Sequence, residues 1–193
     1  CARVAVSIGP MNTADLTRRL ENLIRLGTIA QVDHAAARCR VKTGGLLTAW
    51  LPWLTQRAGT DTTWHAPSVD EQCVVFSPSG DPAHGVVLFG LYSTQHPAPD
   101  NSGARNRQQY RDGAVIDYDT ATHTLTATLP AGGKVNVTAP GGVTIVGNVS
   151  IVGNVAVTGQ IDATQDVTAG GISVINHIHP GVQGGPSNTG KAQ

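Results

Sequence analysis

This chain has few charges, few aromatic residues and no long apolar run, and each shortage excludes something. Charged residues make up 13% of its 193 positions and the net charge is zero, so no polybasic surface favours nucleic acid or an anionic membrane. No stretch approaches the roughly 18 consecutive apolar residues of a membrane-spanning helix. Aromatics are 4% of the chain and are confined to its first part: none follows Tyr118. Charge is equally lopsided, since beyond Lys134 only Asp162, Asp166 and Lys191 carry any. The sequence therefore has two characters, a globular front and a thin, neutral, β-branched back. Cysteine is scarce too. Cys39 and Cys73 sit in strand-like runs (RCRVK, QCVVF), where buried, reduced thiols are expected rather than a disulfide framework. A reducing site of synthesis, the cytoplasm, fits that pattern. The opening CARVAVSIGP is too short in its apolar part for a signal peptide. Met11 looks like a natural start, and residues 1–10 read as a tag or upstream remnant.

What is present begins with a helix over 11–27. Leu16, Leu20, Leu23 and Ile24 form one apolar stripe, Asn12 or Thr13 caps the start, and Gly27 ends it. The period then switches to strands at 28–33, 38–42, 47–51, 71–76 and 85–92, punctuated by Gly and Pro. Several short strands in so few residues predict a small antiparallel barrel over 28–95. Trp50, Trp53 and Trp64 are candidates for a base-stacking platform, but LTAWLPWL has no interleaved Lys or Arg, and structural packing is the better reading. Residues 96–109, rich in Pro, Asn, Ser and Gly, read as a linker. Strands are expected at 114–118, 123–129 and 134–139, the first pair a Thr-rich hairpin with too little apolar area to stand alone.

The back of the chain is a repeat. From Val143 it runs VTIVGN, VSIVGN, VAVTGQ, IDATQD, VTAGGI, the fixed spacing of a quasi-one-dimensional architecture. Positions one and three of each hexad point to one face of a strand and the residue between them to the other. Gly at position five marks a bend. One such chain has no second layer to cover its apolar face, so several identical chains must wrap about one axis. Position three shrinks from Ile to Val to Ala, so the rod over 110–172 tapers. A rival use of hexads is the left-handed parallel β-helix of acyltransferases, but only about three good matches occur and no loop bearing a catalytic His interrupts them.

The repeat ends in Asn176-His177-Ile178-His179-Pro180. In extended backbone His177 and His179 leave the same face, close enough for one cation. Two imidazoles make a weak site, but three chains on an axis supply six nitrogens. Imidazole suits Fe, Ni, Zn or Cu; six ligands disfavour Zn and favour an octahedral metal such as Fe(II). With every position filled, such a metal is structural and pins a tip over 173–193. His34, His65, His84, His96 and His123 are scattered and read as surface or core. Asp117 with Asp119, and Asp162 with Asp166, are carboxylate pairs assigned to turns and surface, and no catalytic motif stands out. The expectation is a protein that is not an enzyme, with no small-molecule substrate and no nucleic-acid partner.

In order, LTRRLENLIRLGTI, TAWLPWL, WHAPSVDEQCVVFSPSGD, GVVLFGLY, the Thr-rich segment, the hexads and the final His-x-His together resemble contractile-tail phage baseplate assembly protein V, the central tail spike family that includes R-type bacteriocin spikes. The resemblance covers nearly all of 12–190. It implies an all-β chain with one N-terminal helix: an OB-fold barrel, then an intertwined, triple-stranded β-helix of a homotrimer. It implies one Fe2+ per trimer, held octahedrally by His177 and His179 of all three chains. It also implies a seat under the baseplate hub and tail tube, and transient puncture of a bacterial outer membrane on sheath contraction. Such a protein is assembled in the host cytoplasm and carried in the phage or bacteriocin particle. An acyltransferase and an OB-fold nucleic-acid binder remain the alternatives.

Overall fold

A computed structural model describes residues 12–177 and Gly185; residues 1–11, His179 and nearly all of the Gly-rich end lie outside the described residues. The chain divides into two units, Cys1–Asn136 and Val137–Gln193.

In the first unit, α1 spans Thr13–Leu23. The Asn12 side chain accepts the Ala14 N–H at 3.1 Å, satisfying one of the free donors of the first turn. Asp15, favourably placed near the positive helix end, pairs with Arg18 and Arg19 at 2.6 and 2.8 Å. The helix stops earlier than its apolar stripe suggests. Ile24 is already extended and opens β1, Ile24–Asp33, because Ile24, Arg25 and Leu26 pair with Phe76, Val75 and Val74. Tertiary pairing overrides the helical period there. Gly27 ends no helix; a Cβ on it would lie 2.5 Å from Val41 Cγ1 and 2.7 Å from the Lys42 carbonyl, so glycine lets two strands close together.

β2 (Arg38–Thr43) returns along β1 after a turn in which Asp33 accepts the Ala36 N–H at 3.0 Å. β3 (Leu46–Leu47), β4 (Gln72–Phe76) and β5 (Val86–Leu91) complete an antiparallel sheet in the order β3-β2-β1-β4-β5. The expected strand at 47–51 is a brief pairing at Leu46–Leu47 followed by an irregular segment that does more than a strand could. Leu51 exchanges both backbone hydrogen bonds with Cys39 of β2, at 2.8 and 2.9 Å. Further on, Leu54 N–H reaches the Val87 carbonyl and Val87 N–H the Pro52 carbonyl, at 2.8 and 2.9 Å. One segment thus bridges β2 to β5 and closes the sheet into a barrel, satisfying edge groups that would otherwise be open.

Alternation places Cys39 and Val41, Cys73 and Val75, with Ile29, Leu51 and Val87, in one buried core against Val32, Trp53 and Phe89. Both cysteines are buried, free thiols, as their strand context suggests. The opposite phase is apolar as well. Ile24, Leu26, Val74, Phe76, Val86 and Leu88 fall in paired register on β1, β4 and β5, and Ile24, Leu26, Phe76 and Leu88 are exposed.

β6 (Arg105–Gln109), β7 (Val115–Asp119) and β8 (Thr124–Thr128) form a second antiparallel sheet. Residues 105–109 are therefore a strand, not linker. Arg105 faces Asp119 and Arg107 faces Asp117 across the ladder, an opposite-charge pairing on one face that outweighs the turn-rich composition around it. Asp100 adds a third carboxylate, 3.3 Å from both guanidiniums. The expected strand at 134–139 is absent among the described residues.

In the second unit the hexads form no long ladder among the described residues; the only pairing there is the hairpin of β9 (Thr168–Ala169) and β10 (Ile172–Ser173). Its turn is Gly170-Gly171, with φ of +58° and +83°, the left-handed conformation that suits a two-residue hairpin. A hexad is a strand only if something lies beside it, and among the described residues the first four hexads have no ladder partner. Val143, Ile145, Val149, Ile151, Val155, Val157 and Ile161 are all exposed, and Val152 is as open as in a free peptide, at 102%. The coil of parallel strands that a solenoid acyltransferase would need is likewise not formed by the described residues.

Gly80 has φ +71°, and a Cβ there would strike the backbone of Arg19 in α1. Gly80→Ala should lower stability by at least about 1–3 kcal/mol from the backbone conformation alone, read as a lower denaturant midpoint, with α1 displaced. In the β6–β8 sheet, backbone N–H groups of Ser102 and Ala121, followed by the neighbouring arginines, hold Asp100 and Asp119 below the usual carboxylate range. Depressed carboxylates stabilise above their unfolded pKa of about 3.9 and lose that contribution as pH falls through the lower folded values. Amide hydrogen exchange across β6–β8, corrected for its intrinsic pH dependence, should be unchanged from about pH 7 to pH 5 and rise below about pH 4.

Candidate metal site at the end of the repeat

The site is built from the β9–β10 hairpin outward. Val174 N–H donates to the Val167 carbonyl at 2.9 Å, extending the hairpin by one bond past Ser173. The chain then turns, and Asn176 N–H donates to Ser173 Oγ at 2.8 Å. That turn brings His177 back over its own start: Nδ1 lies 3.1 Å from both the Ser173 and the Val174 carbonyl oxygens. Carbonyls only accept, so Nδ1 carries a hydrogen and donates it in these contacts. Neutral imidazole ligates metals in that form, with its other nitrogen oriented by a hydrogen bond.

Of the two ligands expected from the sequence, His177 is placed at the exposed end of this turn and His179 lies outside the described residues. Among the described residues of the single chain no three His, Cys, Asp or Glu side chains are grouped so as to hold a metal ion. The donor chemistry of His177 fits a transition metal; the described residues of one chain supply too few ligands for it.

Two of the carboxylates assigned to turns and surface, Asp119 and Asp166, are shifted. Asp166 lies below the usual carboxylate range, first because the Ser173 hydroxyl donates to it and then through backbone N–H groups, led by that of Ile175. Asp119 is depressed as described above. Both shifts favour the charged form, the opposite of what a general acid at neutral pH needs.

The tryptophans divide. Trp53 packs against the barrel core and meets Trp64 with ring centroids 5.7 Å apart and planes tilted 58°, a favourable arrangement of ring quadrupoles. Trp50 and Trp64 remain about half exposed, at 47% and 60%, so the packing expectation holds for Trp53 rather than for all three. The arginine missing from the LTAWLPWL run arrives from β2: the Arg40 guanidinium lies 5.8 Å from the Trp50 ring centre, within cation–π range. Linear sequence could not reveal that contact, because it depends on β2 lying beside the closing segment.

Comparison with known proteins agrees with this architecture. Residues 25–92, which span the barrel strands, match the type VI secretion system/phage-baseplate injector OB domain, and residues 171–193 match the GpV apex motif. Over 135 residues the chain is 44% identical to the spike protein of Escherichia phage P2, an alignment covering 67% of this chain and 64% of that protein. The chain thus spans a little under two thirds of the length of this relative. An OB barrel, a tapering hexad segment and an apex motif follow one another in a single chain, and the chain belongs to the phage baseplate V spike family.

Proposed function

We propose that three copies of this chain form the central spike at the tip of a contractile tail, and that the spike pierces the bacterial outer membrane when the sheath contracts. The observation that carries the proposal is the series of exposed Val and Ile side chains from Val143 to Ile161, on backbone without a ladder partner among the described residues. Each such side chain gains about 1.5–3 kcal/mol when fully buried, and each unpaired backbone group gains a partner when a neighbouring strand is supplied. Three intertwined copies supply both at once, as a triple-stranded β-helix over 110–172. Gly147 and Gly153, with φ of +135° and +142°, provide the bends between successive short strands.

The end of the chain is read in the same way. His177 and His179 of three chains would hold one Fe(II) through six imidazoles. The bound cation supplies six coordinate bonds that tie three chain ends together where apolar packing runs out, and it has no role as a reaction centre. Its identity as iron rests on the octahedral donor count. Such a rod transmits force and performs no chemistry: it requires no substrate pocket, and low charge with short side chains keeps three chains narrow. The barrel would sit under the baseplate hub and tail tube. A phage virion is favoured over a bacteriocin by the relative's source, Escherichia phage P2.

The purified chain should run as a trimer by native mass spectrometry and resist dissociation in hot detergent; a monomer under mild conditions would overturn the spike. Elemental analysis should find about one iron per three chains. The double variant His177→Ala, His179→Ala should lose the metal and keep the trimer, whereas a metal-free wild type would overturn the tip while leaving the shaft standing.

A further inference from the structure

Asp166 is one of very few charges in the back of the chain. Its carboxylate is occupied by the turn that carries His177. Oδ1 accepts the Ile175 N–H at 3.3 Å. Ser173 Oγ in turn accepts the Asn176 N–H at 2.8 Å. Asp166 thus restrains residue 175 and Ser173 restrains residue 176, two adjacent points of the same turn. Residues 173 and 174 present the two carbonyls that meet His177 Nδ1. Asp162 offers a contrast within the same repeat: its carboxylate accepts from the Gln160 side chain at 2.9 Å, remote in sequence from the turn.

We propose that Asp166 and Ser173 are positioning residues for the His177 ligand. They hold the 173–176 turn so that Nδ1–H is donated to backbone carbonyls and Nε2 is the nitrogen given to the metal. The inference rests on the metal reading above and adds which nitrogen ligates and what selects it. Outer hydrogen-bond partners of this kind orient a ligand before the metal arrives and slow its departure. A carboxylate suits the place because it accepts several hydrogen bonds at once, whereas a neutral amide has one acceptor oxygen and adds donors that this turn cannot use.

The test uses the full-length trimer loaded with Fe(II), or with Co(II) as a paramagnetic reporter. Two quantities are read: the rate of metal loss to excess chelator, and solvent exchange of the hyperfine-shifted imidazole N–H protons in the Co(II) form. Asp166→Ala and Ser173→Ala should each speed metal loss about ten- to hundred-fold and accelerate N–H exchange. Ser173→Thr, which keeps the hydroxyl, should restore both, and Asp162→Ala should match wild type. Native mass is followed throughout; if Asp166→Ala fails to assemble, Ser173→Ala, which removes one oxygen, decides. Loaded wild type with Asp166→Ala and Ser173→Ala indistinguishable from Asp162→Ala overturns this inference alone, as does a His177 ligated through Nδ1. A wild type that takes up no metal overturns the preceding metal reading, and this inference falls with it.

Discussion

A β-strand is not a self-sufficient object, and this chain depends on that constraint. Its backbone groups need a neighbour along the sheet, and a one-sided apolar strand needs a second layer. The front of the chain meets both demands internally. β1 is flanked by β2 and β4, and the barrel interior gives Val41, Val75 and Val87 a common place to bury. In the back, from Val143 to Asp166, neither demand is met by the described residues of one chain: these hexads have the side chains of strands and no strands beside them.

Within the barrel the decisive segment is the least regular one. Pro52 has no N–H and cannot sit inside a central strand, yet its carbonyl accepts from Val87 while Leu51 bonds to Cys39 on the other side. A short, proline-interrupted piece can bridge two strands that diverge, where a regular strand would have to follow one of them. The buried Thr48 hydroxyl belongs to the same arrangement, accepting the Val41 N–H and donating to the Ala49 carbonyl, each at 2.9 Å. These polar contacts carry the chain from β3 to the closing segment while satisfying the Thr48 hydroxyl in the interior.

Much of this was legible in the residues. Alternation located β1, β2, β4 and β5, and the burial of Cys39 and Cys73 followed from the phase of their neighbours. The misreadings share a cause. Ile24 to Leu26 continue a helical stripe as well as a strand, and only the presence of Val74–Phe76 decides between them. Arg105 and Arg107 look like loop residues until Asp117 and Asp119 are set opposite. Arg40 reaches Trp50 from another strand. In each case the deciding partner is distant in sequence, and a local pattern carries no record of it. The candidate metal site divides the same way. The spacing of His177 and His179 was visible at once, whereas the hydrogen bonds around His177 depend on a turn that hydrophobic periodicity does not encode.

The buried thiols have a consequence of their own. Desolvation in the barrel core raises Cys39 to about 11 and Cys73 to about 12, and only the thiolate attacks or is readily oxidised. At neutral pH the reactive form of Cys39 is then on the order of one part in ten thousand, and the neutral thiols behave as small apolar side chains. The barrel is in that sense indifferent to redox surroundings. It can be made where thiols are kept reduced and exposed later to oxidising ones, with the same contacts holding it in both.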